Sequence, residues 1–196
     1  MQYNFKTNIM KANKILRVFI SLFFVASFAQ DLKLNTNDSK VTVDGTSNVH
    51  DWTVEAKAMN GKMNAQLETA LKINQLTFSV EVEQLKSGKS GMDKNTYKAL
   101  NSTKFKTIDF KMTRVQKITK VSENNYQLEL AGDLTIAGTT KAIVLTASAQ
   151  IQGNKLVLTG KHKLNMTHYG VEAPKALMGT IKTGEDVTVN FKVLYQ

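Results

Sequence analysis

Apolar and polar side chains alternate with a period of two along most of the chain. Leu76-Thr77-Phe78-Ser79-Val80-Glu81-Val82-Glu83 sets Leu76, Phe78, Val80 and Val82 on one face and Thr, Ser and Glu on the other. Such alternation marks a strand with one buried and one wet face. The period recurs in Val41-Thr42-Val43, in residues 52–58, and in Ile108, Phe110 and Met112. It continues through Tyr126, Leu128 and Leu130, through Leu134 and Ile136, and through Ile143, Leu145, Ala147, Ala149 and Ile151. Leu156, Leu158, Gly160, His162, Leu164 and Met166 share a face, and Val187, Val189, Phe191 and Val193 finish the chain. The dipeptides Asp44-Gly45, Asn60-Gly61, Ala137-Gly138 and Gly153-Asn154 read as turns between these runs. An antiparallel sheet of about eight strands removes its exposed edges by closing, so the prediction is an all-β, single antiparallel barrel. A barrel of that size is either filled by side chains or holds one ligand. Small inward candidates, Ala56, Ala58, Ala147, Ala149 and Gly160, fit both readings.

The alternation stops over residues 87–104. There Ser87-Gly88-Lys89-Ser90-Gly91 leads into Met92-Asp93-Lys94-Asn95-Thr96-Tyr97-Lys98-Ala99-Leu100. With Asp93 as N-cap, Met92, Thr96, Ala99 and Leu100 fall near one side of a short helix. A single helix in such a sheet is expected to plug or cover an opening.

Residues 1–29 stand apart. Lys6, Lys11, Lys14 and Arg17 precede the apolar run 18–26, and Ser27-Phe28-Ala29 follows. This is the form of a cleavable signal peptide, with cleavage expected after Ala29 and with Met10 as an alternative start. The apolar run is shorter than the roughly 20 residues a spanning helix needs. The remaining 30–196 suits one domain with a sizeable core.

Charge then adds little. The chain holds 26 basic and 16 acidic residues, a formal charge of +10, but four of those cations sit in the leader, leaving 22 against 16, or +6. Nucleic-acid proteins concentrate Lys and Arg beside stacking aromatics. Here the lysines are dispersed and Arg114 is the one arginine beyond the leader, so no nucleic-acid partner is expected. There are no cysteines, which excludes disulfides, thiolate metal sites and a lipidated N-terminal cysteine.

Asp44-Gly45-Thr46-Ser47-Asn48-Val49-His50-Asp51-Trp52, then Leu85-Lys86-Ser87 with the helical segment 92–100, then Ile108-Asp109-Phe110, taken in this order, resemble the YceI-like family of exported, lipocalin-like, polyisoprenoid-binding proteins. Gly132-Asp133-Leu134-Thr135-Ile136-Ala137-Gly138-Thr139-Thr140-Lys141 is similar to that family's hairpin, and Met166-Thr167-His168-Tyr169-Gly170-Val171 stands where the family has an Asp-Phe-Gly-Val-like turn. The resemblance runs over residues 33–196. It implies a lipocalin-like barrel with one short helix near its mouth and an elongated apolar cavity, which in some members holds a polyisoprenoid chain.

On the inward positions of this chain the implied cavity is lined by Trp52, Val54, Phe78, Val80, Val82, Phe110, Met112, Leu134, Ile136, Leu145, Leu158, His162, Leu164 and Phe191. His50 shares the parity of Trp52. Around the helix, Lys89, Lys94 and Lys98 are the candidates to receive an anionic head group. The expected ligand is a long amphipathic lipid: a polyisoprenoid, an isoprenoid quinone or a prenyl phosphate. Peripheral or transient membrane contact and a homodimer both fit.

Rival chemistry finds little support. His50, His162 and His168 lie on separate segments without metal-ligand spacing, Gly88-Lys89-Ser90 lacks the preceding glycine of a phosphate loop, and no serine is framed as a nucleophile. The expected function is non-catalytic carriage or sequestration of lipid, without cofactor or metal, in a periplasmic or secreted protein. The alternative is an exported structural or interaction protein with a side-chain-filled barrel and a lysine-rich partner face.

Overall fold

The computed structural model describes residues 29–68, 70–176 and 179–196. The expected signal peptide, apart from Ala29, lies outside the described residues. The alternating runs form β1 (Gln30–Ser47), β2 (Trp52–Ala56), β3 (Met59–Gln66), β4 (Lys72–Glu81) and, after the 3-10 turn Val82–Gln84, β5 (Leu85–Lys86). Helix α1 (Ser90–Ala99) precedes β6 (Thr107–Ser122), β7 (Asn125–Ile136), β8 (Thr139–Gln152) and β9 (Lys155–Asn165). A second 3-10 turn (Met166–Tyr169) leads to β10 (Lys175–Ala176) and β11 (Ile181–Tyr195).

Neighbouring strands pair antiparallel in chain order, and β11 returns to β1, with Val41 opposite Phe191 and Val43 opposite Val189. β2 and β3 both pair with β1 and act as one interrupted strand; β5 extends the line of β4. The result is a closed, lipocalin-like antiparallel barrel of eight strands with one helix, as the periodicity predicts. On its outer face Asp44 accepts hydrogen bonds from Thr53 Oγ1 and Asn190 Nδ2, both at 2.7 Å, strapping β2, β1 and β11 together.

Two expected turns are not turns. Asp44-Gly45 lies inside β1, and the chain reverses instead through Asn48-Val49-His50-Asp51; Asn60-Gly61 lies inside β3. Both glycines serve a ring. A Cβ on Gly45 would stand 2.2 Å from the Trp52 indole, and one on Gly61 would stand 2.8 Å from the Tyr195 hydroxyl. The missing side chain lets an aromatic ring lie flat on the strand.

The helix also departs from expectation at its start. Lys89 occupies the N-cap position and Asp93 sits within the first turn. The Asp93 carboxylate accepts from the Ser87 hydroxyl (2.6 Å) and amide (2.7 Å), which pulls its pKa below the ordinary value and ties the preceding loop to the helix.

The interior is solid at one end. Met63, Leu128, Leu156 and Tyr195 are each 2% exposed or less and plug the barrel where β1 begins and β11 ends. Tyr195 donates weakly to the Thr77 carbonyl at 3.4 Å, and burial raises its pKa well above the ordinary 10.0. Its unfolded counterpart ionises first, so the unfolded state binds fewer protons and stability falls as pH rises past about 10. Denaturant midpoints should therefore be flat up to about pH 9 and then decline, less so in Tyr195→Phe.

Candidate functional site

Above that plug the barrel is hollow. A cavity of about 730 Å³ runs from the level of Leu158, Val193 and Tyr195 up to the end that carries α1, and aliphatic and aromatic side chains dominate its wall. Residues 181–193 of β11 flank its length; at about 3.3 Å per residue and a tilt near 40°, it reaches roughly 30 Å along the barrel.

Most of the inward positions converge on this space. Trp52, Val54, Phe78, Val80, Phe110, Leu134, Ile136, Leu145, Leu158, His162, Leu164 and Phe191 all line it, as does His50. Val82 and Met112 do not. Val82 opens the 3-10 turn that ends β4, so the period of two lapses there, and its side chain is buried away from the cavity. Met112 packs against the core cluster, while the Phe110 ring covers Gly132, the residue paired with Met112.

Helix α1 covers part of the open end. Met92, Thr96, Ala99 and Leu100 face the cavity at helical spacing. The helix is anchored by Tyr97, whose hydroxyl donates to the Leu85 carbonyl (3.0 Å) and accepts from Lys86 Nζ (2.7 Å), and by Ser102 Oγ, which donates to Glu83 (3.0 Å). Lys89 and Lys94 line the mouth together with Lys175, whereas Lys98 does not.

At the same end the loop after β1 is fixed by Asn48, which accepts from the Lys182 amide (2.8 Å) and donates to the Thr180 carbonyl (2.9 Å). Trp52 is held in place by its Nε1 donating to the Thr46 carbonyl at 2.9 Å. Its ring lies between Gly45 and the cavity, and this is the physical use of the 44–52 segment.

Tyr169 and Val171 also line the cavity and pack with Ile136 in a second small cluster. Sequence periodicity gave no sign of them, because they follow a 3-10 turn that ends at left-handed Gly170. The aromatic-glycine-valine string itself was the only signal available. His162 is half-buried, and desolvation lowers its pKa, so its ring is neutral at physiological pH. Among the described residues no three His, Asp or Glu side chains converge as a metal site would require.

The YceI-like domain matches residues 32–195 of the sequence. The chain belongs to the YceI-like family. Solved structures extend this likeness at the level of the fold. A polyisoprenoid-binding domain from Saccharophagus degradans implicated in plant cell wall breakdown superposes with a TM-score of 0.67 at 11% identity, covering 84% of this chain and 97% of its own. Burkholderia cenocepacia BcnA gives 0.64 at 14% identity, with 82% and 98% covered. The Campylobacter jejuni YceI protein gives 0.57 at 17% identity, with 72% and 82% covered. The comparison with curated proteins gives no match. Within the YceI-like barrel, then, the hollow half and its α1-covered mouth are the candidate site of this chain.

Proposed function

We propose that this protein binds the long apolar chain of an amphipathic, isoprenoid-type lipid in the barrel cavity and carries or sequesters it without chemical change. The observation that supports this most is the 730 Å³ apolar cavity in a YceI-like barrel, open at the α1 end and closed below by a packed plug. The Saccharophagus neighbour, a polyisoprenoid-binding domain, supports the chemical class of ligand. A chain burying on the order of 500 Å² gains roughly 12 kcal/mol at about 25 cal/mol per Å². Association costs about 4–15 kcal/mol, so micromolar affinity needs a cost near the low end and no polar contact at all. Lys89, Lys94 and Lys175 at the mouth suit a phosphate or other anionic head group. Residues 1–29 support export, and the protein acts in the periplasm or outside the cell, where a carrier without cysteine needs no redox partner.

The alternative of a barrel filled by side chains is met only at the plugged end. Trp52, the single tryptophan, provides the test. Titration with geranylgeraniol is expected to shift Trp52 emission to shorter wavelength in a saturable way. Emission unchanged across the titration, with no co-eluting lipid on gel filtration, would remove the reading.

A further inference from the structure

The barrel wall has a break. The ladder between β8 and β9 runs from Gln152 opposite Lys155 to Ala147 opposite Gly160 and stops there. Beyond it, residues 139–146 of β8 remain paired with β7, and residues 161–165 of β9 remain paired with β11 through Asn165 opposite Asp186. The two strands thus continue side by side towards the mouth without a shared ladder. A similar divergence separates β4 from β6 beyond Thr77 opposite Lys111, but there the packed plug lies behind it, whereas the bare edges of β8 and β9 border the hollow end, an arrangement that natural sheets avoid or cover.

A second cavity of about 360 Å³ occupies the break. Its wall includes the consecutive residues Lys141, Ala142 and Ile143 of β8 and the run 162–165 of β9. Neighbouring strand residues point to opposite faces of a sheet. A space lined by both faces of both strands therefore passes through the wall. Ile143, His162, Leu164 and Tyr169 line this space and the main cavity alike, so the two adjoin. Outside, Val144 is 42% exposed, an apolar rim to the opening. At the threshold the half-buried His162 has no hydrogen-bond partner among the described residues, which leaves its ring nitrogens free for a ligand.

We infer that the break between β8 and β9 is a lateral portal, through which the isoprenoid-type chain of the ligand enters and leaves the cavity sideways past His162. This rests on the lipid-binding reading above and adds the route. A side opening suits transfer from a membrane surface, because the chain need never be lifted end-on through water. His162 is placed to hydrogen-bond an uncharged hydroxyl or carbonyl as it passes.

The absence of cysteine makes the test direct. Continuing the register of Ala147 opposite Gly160 sets Val144 across from Lys163, both on the outer face. The double variant Val144→Cys with Lys163→Cys, bridged by a reducible bismaleimide, bars the opening. The probe is geranylgeraniol presented in phosphatidylcholine vesicles. Uptake and release are both expected to slow at least tenfold in the bridged protein, with the equilibrium affinity unchanged, and to recover when the same sample is reduced. Leu164→Trp, which fills the threshold from inside, is expected to slow both steps without a bridge. Equal rates for the bridged, reduced and Leu164→Trp proteins, while the unaltered protein loads normally, would overturn the portal. Failure of the unaltered protein to load at all would overturn the lipid-binding reading, and the portal with it.

Discussion

Val43→Phe is expected to cost the protein most of its affinity for long isoprenoid chains while leaving its thermal stability equal or higher. Val43 faces the cavity, only partly buried, with Val54 and Val189 opposite it on the flanking strands. A phenyl ring there projects into empty space, where it meets apolar walls and displaces no packed neighbour. Shortening the bound chain by about three methylene groups removes roughly 2–3 kcal/mol at about 0.8 kcal/mol each, or about 30- to 150-fold in Kd. Extra buried apolar area stabilises the barrel at the same time. Calorimetry with geranylgeraniol beside a thermal melt reads both signs. Reduced stability at unchanged affinity would mean that Val43 stands in a filled core.

Leu128→Ala is expected to do the reverse. Leu128 is 1% exposed and sits in the plug, outside the cavity wall. Truncating a buried leucine loses transfer energy and leaves a void, together about 2–5 kcal/mol. For a chain of this size that lowers Tm by roughly 5–15 °C. Geranylgeraniol affinity, measured well below the melt, should change less than about twofold. A large affinity loss would place the floor of the binding site deeper than the level of Tyr195.

The opposite signs of these two substitutions express how the sequence divides the barrel, and that division was only partly legible. The strands themselves were plain wherever alternation is regular, as in β4, β7, β8, β9 and β11, and most of the cavity wall followed from parity alone. β6 was harder. Three bulges interrupt its pairing with β7, so Phe110, Val115 and Ile118 reach the interior at uneven spacing. Gly45 and Gly61 look like turn residues because the turn signal is local, whereas their contacts with Trp52 and Tyr195 come from other strands. Tyr195 illustrates the same limit. It lies next to the last residue of the chain, yet closure of β11 onto β1 and β9 buries it completely. Whether inward side chains fill a barrel or line a void depends on their summed volume against the space enclosed, and periodicity carries no information about that volume. Likewise the break between β8 and β9 left no mark on the alternation of either strand. Each reads as an ordinary half-buried strand; only the ladder reveals the separation.

The hollow end of the barrel is expected to hold a lipid chain. Native mass spectrometry of residues 30–196, purified from producing cells without detergent, tests it most directly. A second species is expected, heavier than the bare chain by the mass of one long-chain isoprenoid-type lipid, lost when the protein is denatured and recovered in the organic extract. A single bare species that also gains no mass after incubation with geranylgeraniol-bearing vesicles would contradict it.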